Sequence, residues 1–223
     1  MKHEPAPRRV SHVLSADLGR MNDFTALSVI RRVDAGDDSW YFDPRRPDVS
    51  IEGRTVEFQV PHLSRLPLML SYVHQVERIG ELYVRLKAID HNAALVIDAT
   101  GVGNAVCDLF VAAGLPVIAI TLTAGAEPEY KGGGRWSLPK RVAVQRLEAA
   151  LHTGELRIAD GLPEGEVLRR ELRDFRARYT STGLLTFSHR DGAHDDLVLS
   201  LALGLWFSAR PESNARTFKL KGL

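Results

Sequence analysis

The chain has 223 residues, 44% hydrophobic and 26% charged, with 29 Lys and Arg against 28 Asp and Glu. That composition excludes a disordered chain, and at this length one core buries roughly 70% of the unfolded surface, so no disulfide or structural metal is needed. The longest apolar run, residues 197–207 interrupted by Ser200 and Gly204, spans 11 residues, against the about 20 that a bilayer crossing requires. The basic first ten residues contain no apolar stretch of leader length, so a cytoplasmic protein with no membrane partner is expected. The single cysteine, Cys107, lies in an apolar helical pattern. It reads as a buried thiol and leaves no disulfide framework or cysteine zinc site. A net charge of +1 argues mildly against a nucleic-acid partner, since such binders often show a strongly basic balance. However, 23 of the 29 cations are Arg, the side chain that grips phosphate with a fork of donors, although GC-rich codon usage produces the same surplus.

In chain order, residues 12–16 alternate and residues 24–33 are β-branched and apolar, with Gly19, Asn22 and Asp23 between them; this predicts an antiparallel hairpin. Residues 40–42 suggest a short third strand. A Pro- and Arg-rich excursion follows over 43–53, and then a strand at 55–60. The spacing of Leu70, Val73, Val76, Ile79, Leu82 and Leu86 predicts a helix over 68–88, with Gly80 its weak point. Residues 93–98 read as a buried strand, 104–113 as a helix closed by Gly114, and 116–121 as another strand, which together form a parallel crossover. Residues 123–136 are Gly-rich and read as a long loop. A helix capped by Ser137, with Pro139 in its first turn, is expected to run to about 152. A short strand at 155–158, a charged helix at 165–179, a strand at 184–189 and a buried helix from 195 to about 208 complete the chain. The order predicts an α/β fold: a mixed sheet of antiparallel first strands and later parallel crossovers, with helices on both faces.

Carboxylates stand at the ends of apolar elements, where an unpaired charge is costly. Asp17 closes the first strand in S-A-D-L-G, Asp98 closes the central strand in L-V-I-D-A-T-G-V-G, and Asp195 and Asp196 open the last helix in H-D-D-L-V-L-S-L. Neighbouring strands would bring Asp17 and Asp98 together, and a helix packed on the sheet would add Asp195 or Asp196. Converging carboxylates repel unless a cation neutralises them, and oxygen donors favour magnesium or manganese. Each acid also has a plain structural use: Asp17 in the Gly19 turn, Asp98 as a cap through Thr100-Gly101, and Asp195 or Asp196 as an N-cap.

These motifs, S-A-D-L-G-x-x-x-D, D-A-T-G-V-G and H-D-D-L-V-x-x-L-A-L, in this order from about residue 12 to 208, resemble the nuclease domain of viral large terminase subunits in the ribonuclease H-like superfamily. W-S-L-P-K and L-H-T-G-E-L-R-I fit as well. The resemblance implies a ribonuclease H-like domain over residues 12–210, between a flexible segment (1–11) and a tail (211–223). It implies an endonuclease that cuts concatemeric double-stranded DNA during packaging, with two divalent ions, Mg2+ or Mn2+, activating water and stabilising the leaving oxygen. Asp17, Asp98 and Asp196 would be ligands, with Asp195 second or shared. Asp23 would be an accessory acid, equally suited to a turn, and His194 a further contact. The terminase ATPase domain, portal and small subunit are the implied partners, and a bacterial host cytoplasm the implied location.

Residues 131–178 carry 11 Lys and Arg against 7 Asp and Glu. Lys131, Arg135 and Lys140, around a glycine-rich stretch, are expected to contact DNA outside the acidic centre, whereas residues 169–178 read as a solvated helix face. No G-x-x-x-x-G-K-[ST] occurs, so a nuclease domain without its motor is expected. The remaining alternatives are a resolvase-like junction endonuclease, an actin-like phosphotransferase suggested by D-L-G, and a catalytically inactive module that docks DNA or the portal.

Overall fold

A computed structural model describes residues 9–19, 23–35, 55–101, 103–179 and 195–210. The expected strands at 40–42 and 184–189, the excursion at 43–53, His194, and the segments 1–8 and 211–223 lie outside these residues. Eight strands form one sheet in the order β6-β7-β5-β4-β1-β2-β3-β8. Strand β1 (Arg9–Asp17) pairs antiparallel with β2 (Ala26–Ala35), which pairs antiparallel with β3 (Thr55–Arg65). On its other edge β1 runs parallel to β4 (Ala94–Asp98), and β4 to β5 (Val117–Thr123). Strand β8 (Leu156–Ile158) extends the far edge alongside β3.

Side chains of successive strand residues alternate between the two faces, and each face buries its own core. Leu14, Ala16, Leu95 and Ile97 pack on α1 (Tyr72–Ile89) and α2 (Gly103–Ala112). Val13, Ile30, Val96 and Ile120 face α3 (Lys140–Thr153), α4 (Gly165–Tyr179) and α5 (Asp196–Ser208). Helix α5 is apolar nearly all round and almost wholly buried, as a helix enclosed on all sides must be. It lies directly on β1 and β2, where a Cβ at Gly204 would stand 2.4 Å from Ser15 Oγ. Cys107 is a buried free thiol. Among the described residues no helix is long and apolar enough to cross a membrane.

Two expectations change here. The stretch read as a loop contains a hairpin, β6 (Glu129–Gly132) and β7 (Arg135–Pro139), and β7 joins the sheet parallel to β5. Gly132, Gly133 and Gly134 all have positive φ and supply the turn, so the glycines that suggested an irregular loop are what closes a hairpin. Ser137 therefore lies within β7, and α3 starts after Pro139 with no side-chain cap.

Candidate metal centre

Asp17 and Asp98 come together by register. Ala16 pairs with Ile97 across the parallel β1 and β4, so the next residues, Asp17 and Asp98, end adjacent strands side by side. Both are two positions beyond residues on the α5 face, Ser15 and Val96, and alternation turns them toward α5. Asp98 is held there by its own turn: its Oδ1 accepts from Thr100 N at 2.7 Å, while Thr100 Oγ1 accepts from Leu122 N at 2.7 Å. The chain beyond Asp17 is fixed by a closed ring of bonds. Gly19 N donates to Thr25 Oγ1 (3.0 Å), Thr25 Oγ1 donates to Gln75 Oε1 (2.9 Å), and Gln75 Nε2 returns to Gly19 O (3.2 Å).

The start of α5 supplies the other two acids. Asp98, Asp195 and Asp196 are only 6%, 7% and 9% exposed. Burial, then the charges of Asp98, Asp196 and Asp195, raise the Asp17 carboxyl well above its ordinary range, and Lys140 opposes them. Burial also raises Asp98, against its Thr100 bonds and Lys140. Asp98, Asp195 and Asp196 thus all bear electrostatically on Asp17 at the end of β1.

Lys140 belongs to this point and not to an outer DNA-facing surface. Its Nζ lies 3.2 Å from Asp195 Oδ2, with both side chains largely buried, because α3 begins beside the start of α5. Lys131 and Arg135 lie exposed on the β6–β7 hairpin, where Lys131 pairs with Glu129 at 2.6 Å. Asp23 is exposed between β1 and β2.

One residue escaped the sequence reading. Glu171, within the stretch read as a solvated face, is 5% exposed. Its Oε2 accepts from Leu197 N (3.0 Å) and Val198 N (3.2 Å) in the first turn of α5. Burial raises its carboxyl to about 7, helped by the charge of Asp196 and opposed by those two backbone N–H groups and by Arg65. The available signal was spacing: Leu168, Leu172 and Phe175 mark the apolar stripe of α4, and Glu171 falls within it at the i+3 position from Leu168.

The donor set suits a hard divalent cation: all carboxylate oxygens, buried at Asp98, Asp195 and Asp196 and partly buried at Asp17, and mutually repelling without one. Among the described residues, no three such groups stand close enough to enclose an ion as they are placed. The fit therefore rests on donor chemistry and shared field.

The architecture is the ribonuclease H-like fold, with the acidic cluster at the end of its first and fourth strands. Over 91% of this chain and 82% of the other, it superposes on the large terminase nuclease of thermophilic phage G20c, solved with bound zinc (TM-score 0.51, 20% identity). The human cytomegalovirus terminase nuclease domain, Mn soaked, matches over 87% and 82% at 14% identity and TM-score 0.48. Thermus thermophilus RuvC matches over 87% and 90% at 13% identity and TM-score 0.35. No family model and no curated protein sequence matches the chain.

Proposed function

We propose that the chain is a divalent-metal-dependent endodeoxyribonuclease that cuts concatemeric double-stranded DNA during viral genome packaging. The observation that carries this reading is that strand register sets Asp17 beside Asp98, and that both share one electrostatic field with Asp195 and Asp196 at the start of α5 and with Lys140. Three buried carboxylates beside a partly buried fourth are a burden on the fold, and a cation-dependent reaction explains their presence. The shared fold with the G20c terminase nuclease supports the choice of reaction class.

Asp17, Asp98 and Asp196, with Asp195 second or shared, would hold two ions, Mg2+ or Mn2+. Bound there, such ions supply a lowered water pKa and stabilisation of the leaving oxygen. The protein's own groups do the rest. The β1–β4 register and the Thr100 turn aim two carboxylates at one spot, and Lys140 offsets part of their charge. Enclosure by α3 and α5 keeps the surroundings weakly screening. Lys131 and Arg135 on the hairpin are the proposed duplex contacts. Packaging implies work with an ATPase domain, a portal and a small terminase subunit, in the cytoplasm of a bacterial host.

The test is cleavage of plasmid DNA and of a four-way junction in Mn2+, Mg2+ or EDTA by the wild type and Asp98→Asn. Metal-dependent plasmid cutting that Asp98→Asn loses is expected. Cutting that persists in EDTA or in the variant would sink the metal reading, and cutting confined to the junction would sink the packaging role.

A further inference from the structure

A helix start leaves its first N–H groups without intrahelical partners, and the residue before the helix usually satisfies one with its own side chain. Asp195 occupies that position before α5 and makes no such bond. Its Oδ2 instead receives Lys140 Nζ at 3.2 Å. The capping is done from another helix, by Glu171 of α4, whose Oε2 takes both Leu197 N and Val198 N. Glu171 comes from a firmly held base: Glu164, immediately before α4, pairs with Arg65 of β3 at 3.0 Å, and Arg65 lies over the Phe24 ring at 4.4 Å.

We propose that Glu171 is a positioning residue for the acidic centre: by capping α5 from α4, it leaves Asp195 and Asp196 to serve the metal ions and fixes where they stand. The inference rests on the nuclease reading above. A carboxylate at the N-terminal end of a helix also lies favourably along the helix dipole. The link is short, since the two bonded amides directly follow Asp196. Loss of the cap lets the first turn fray and displaces both acids together.

The full chain is compared with Glu171→Gln, Glu171→Ala and Glu171→Asp. Gln retains an acceptor oxygen and loses the charge, Ala loses both, and Asp keeps the charge on a side chain one methylene shorter. Mn2+ binding is measured by electron paramagnetic resonance, and amide hydrogen exchange at Leu197 and Val198 is measured in EDTA. Supporting partners of metal ligands are typically worth about 10–100-fold in metal affinity. Ala and Asp are therefore expected to raise the Mn2+ half-saturation concentration by about tenfold or more, with Gln within about threefold of wild type, and to accelerate exchange at both amides. Unchanged half-saturation in both Ala and Asp overturns the proposal, as does a Gln variant that loses as much as Ala, which makes the charge itself the ligand. If Ala does not fold, Asp and Gln decide. Wild-type protein that binds no Mn2+ defeats the nuclease reading, whereas unchanged exchange in Ala or Asp removes the cap whatever the metal result.

Discussion

Ser15 and Ser200 bond each other's backbone. Ser15 Oγ donates to Ser200 O at 2.8 Å, and Ser200 Oγ donates to Ser15 O at 3.1 Å. Ser28 Oγ stands 2.8 Å from the first hydroxyl and 3.1 Å from the second. This polar cluster lies at the centre of an otherwise apolar contact and ties β1 to α5. Ser15 is two residues before Asp17 and Ser200 four after Asp196, so the pair sets the distance between the strand acids and the helix acids. Ser15→Ala and Ser200→Ala should each cost about 1–3 kcal/mol, since each leaves a buried group unsatisfied. The double variant should cost less than the sum, because the two share one network. Urea unfolding of the four proteins measures this, and strict additivity would show that the hydroxyls act independently.

Gly204→Ala tests how closely α5 approaches the sheet. The new Cβ would meet Ser15 Oγ at 2.4 Å and Ile30 Cγ1 at 2.9 Å, on two inner strands of the sheet. Overpacking of this kind costs about 1–3 kcal/mol. Thermal unfolding should show that loss together with weaker Mn2+ binding, because α5 carries Asp196 away as it lifts.

Asp17→Asn should separate stability from activity. Burial and three neighbouring carboxylates disfavour the charged form of this acid, so a neutral amide removes that penalty from the metal-free protein. A gain of about 0.5–2 kcal/mol, the usual size for relieving a functional site, is expected by thermal unfolding in EDTA, together with loss of plasmid cutting. A destabilised variant would mean that Asp17 serves the fold.

Lys140→Met should act in the opposite sense. It removes the cation facing Asp195 and leaves buried carboxylates less compensated, a change that costs on the order of 3 kcal/mol. Saturating Mn2+ should restore more stability to the variant than it adds to wild type, because the ions replace the missing positive charge. Equal Mn2+ stabilisation in the two proteins would place Lys140 outside the cation site.

The metal-free protein should lose stability as pH rises from about 4.5 to about 7. Glu171 moves from an ordinary 4.5 to about 7 on folding, and Asp17 and Asp98 shift in the same direction. Folded protein thus holds more protons than unfolded protein across that window, and stability falls with pH wherever this is so. The opposing groups around them are Lys140 and Arg65, with Asp195 and Asp196 adding repulsion. The melting temperature in EDTA should decline through this range, and less steeply in Glu171→Gln, where Asp17 and Asp98 still contribute. A melting temperature that rises through the window would contradict the shifts.

What the amino-acid order determined by itself is what is local. The alternation of β1 and β4, the turns after Asp17 and Asp98, and the all-round apolar pattern of α5 can each be read within one segment, because strand and helix periods are properties of neighbouring residues. The placing of four acids at element ends follows from the same patterns. The β6–β7 hairpin was hidden because a glycine run looks alike in a loop and in a tight turn until β5 offers β7 its parallel partner. Only the tertiary structure decided the roles of Glu171 and Lys140. Glu171 lies in a charged stretch that reads as a solvated face and Lys140 beside a glycine-rich basic stretch that reads as a DNA contact, and each gains its meaning from the start of α5, 26 positions along the chain from Glu171 and 55 from Lys140. Burial and charge compensation depend on what packs against a side chain, and here that is settled by how α3, α4 and α5 meet over one face of the sheet.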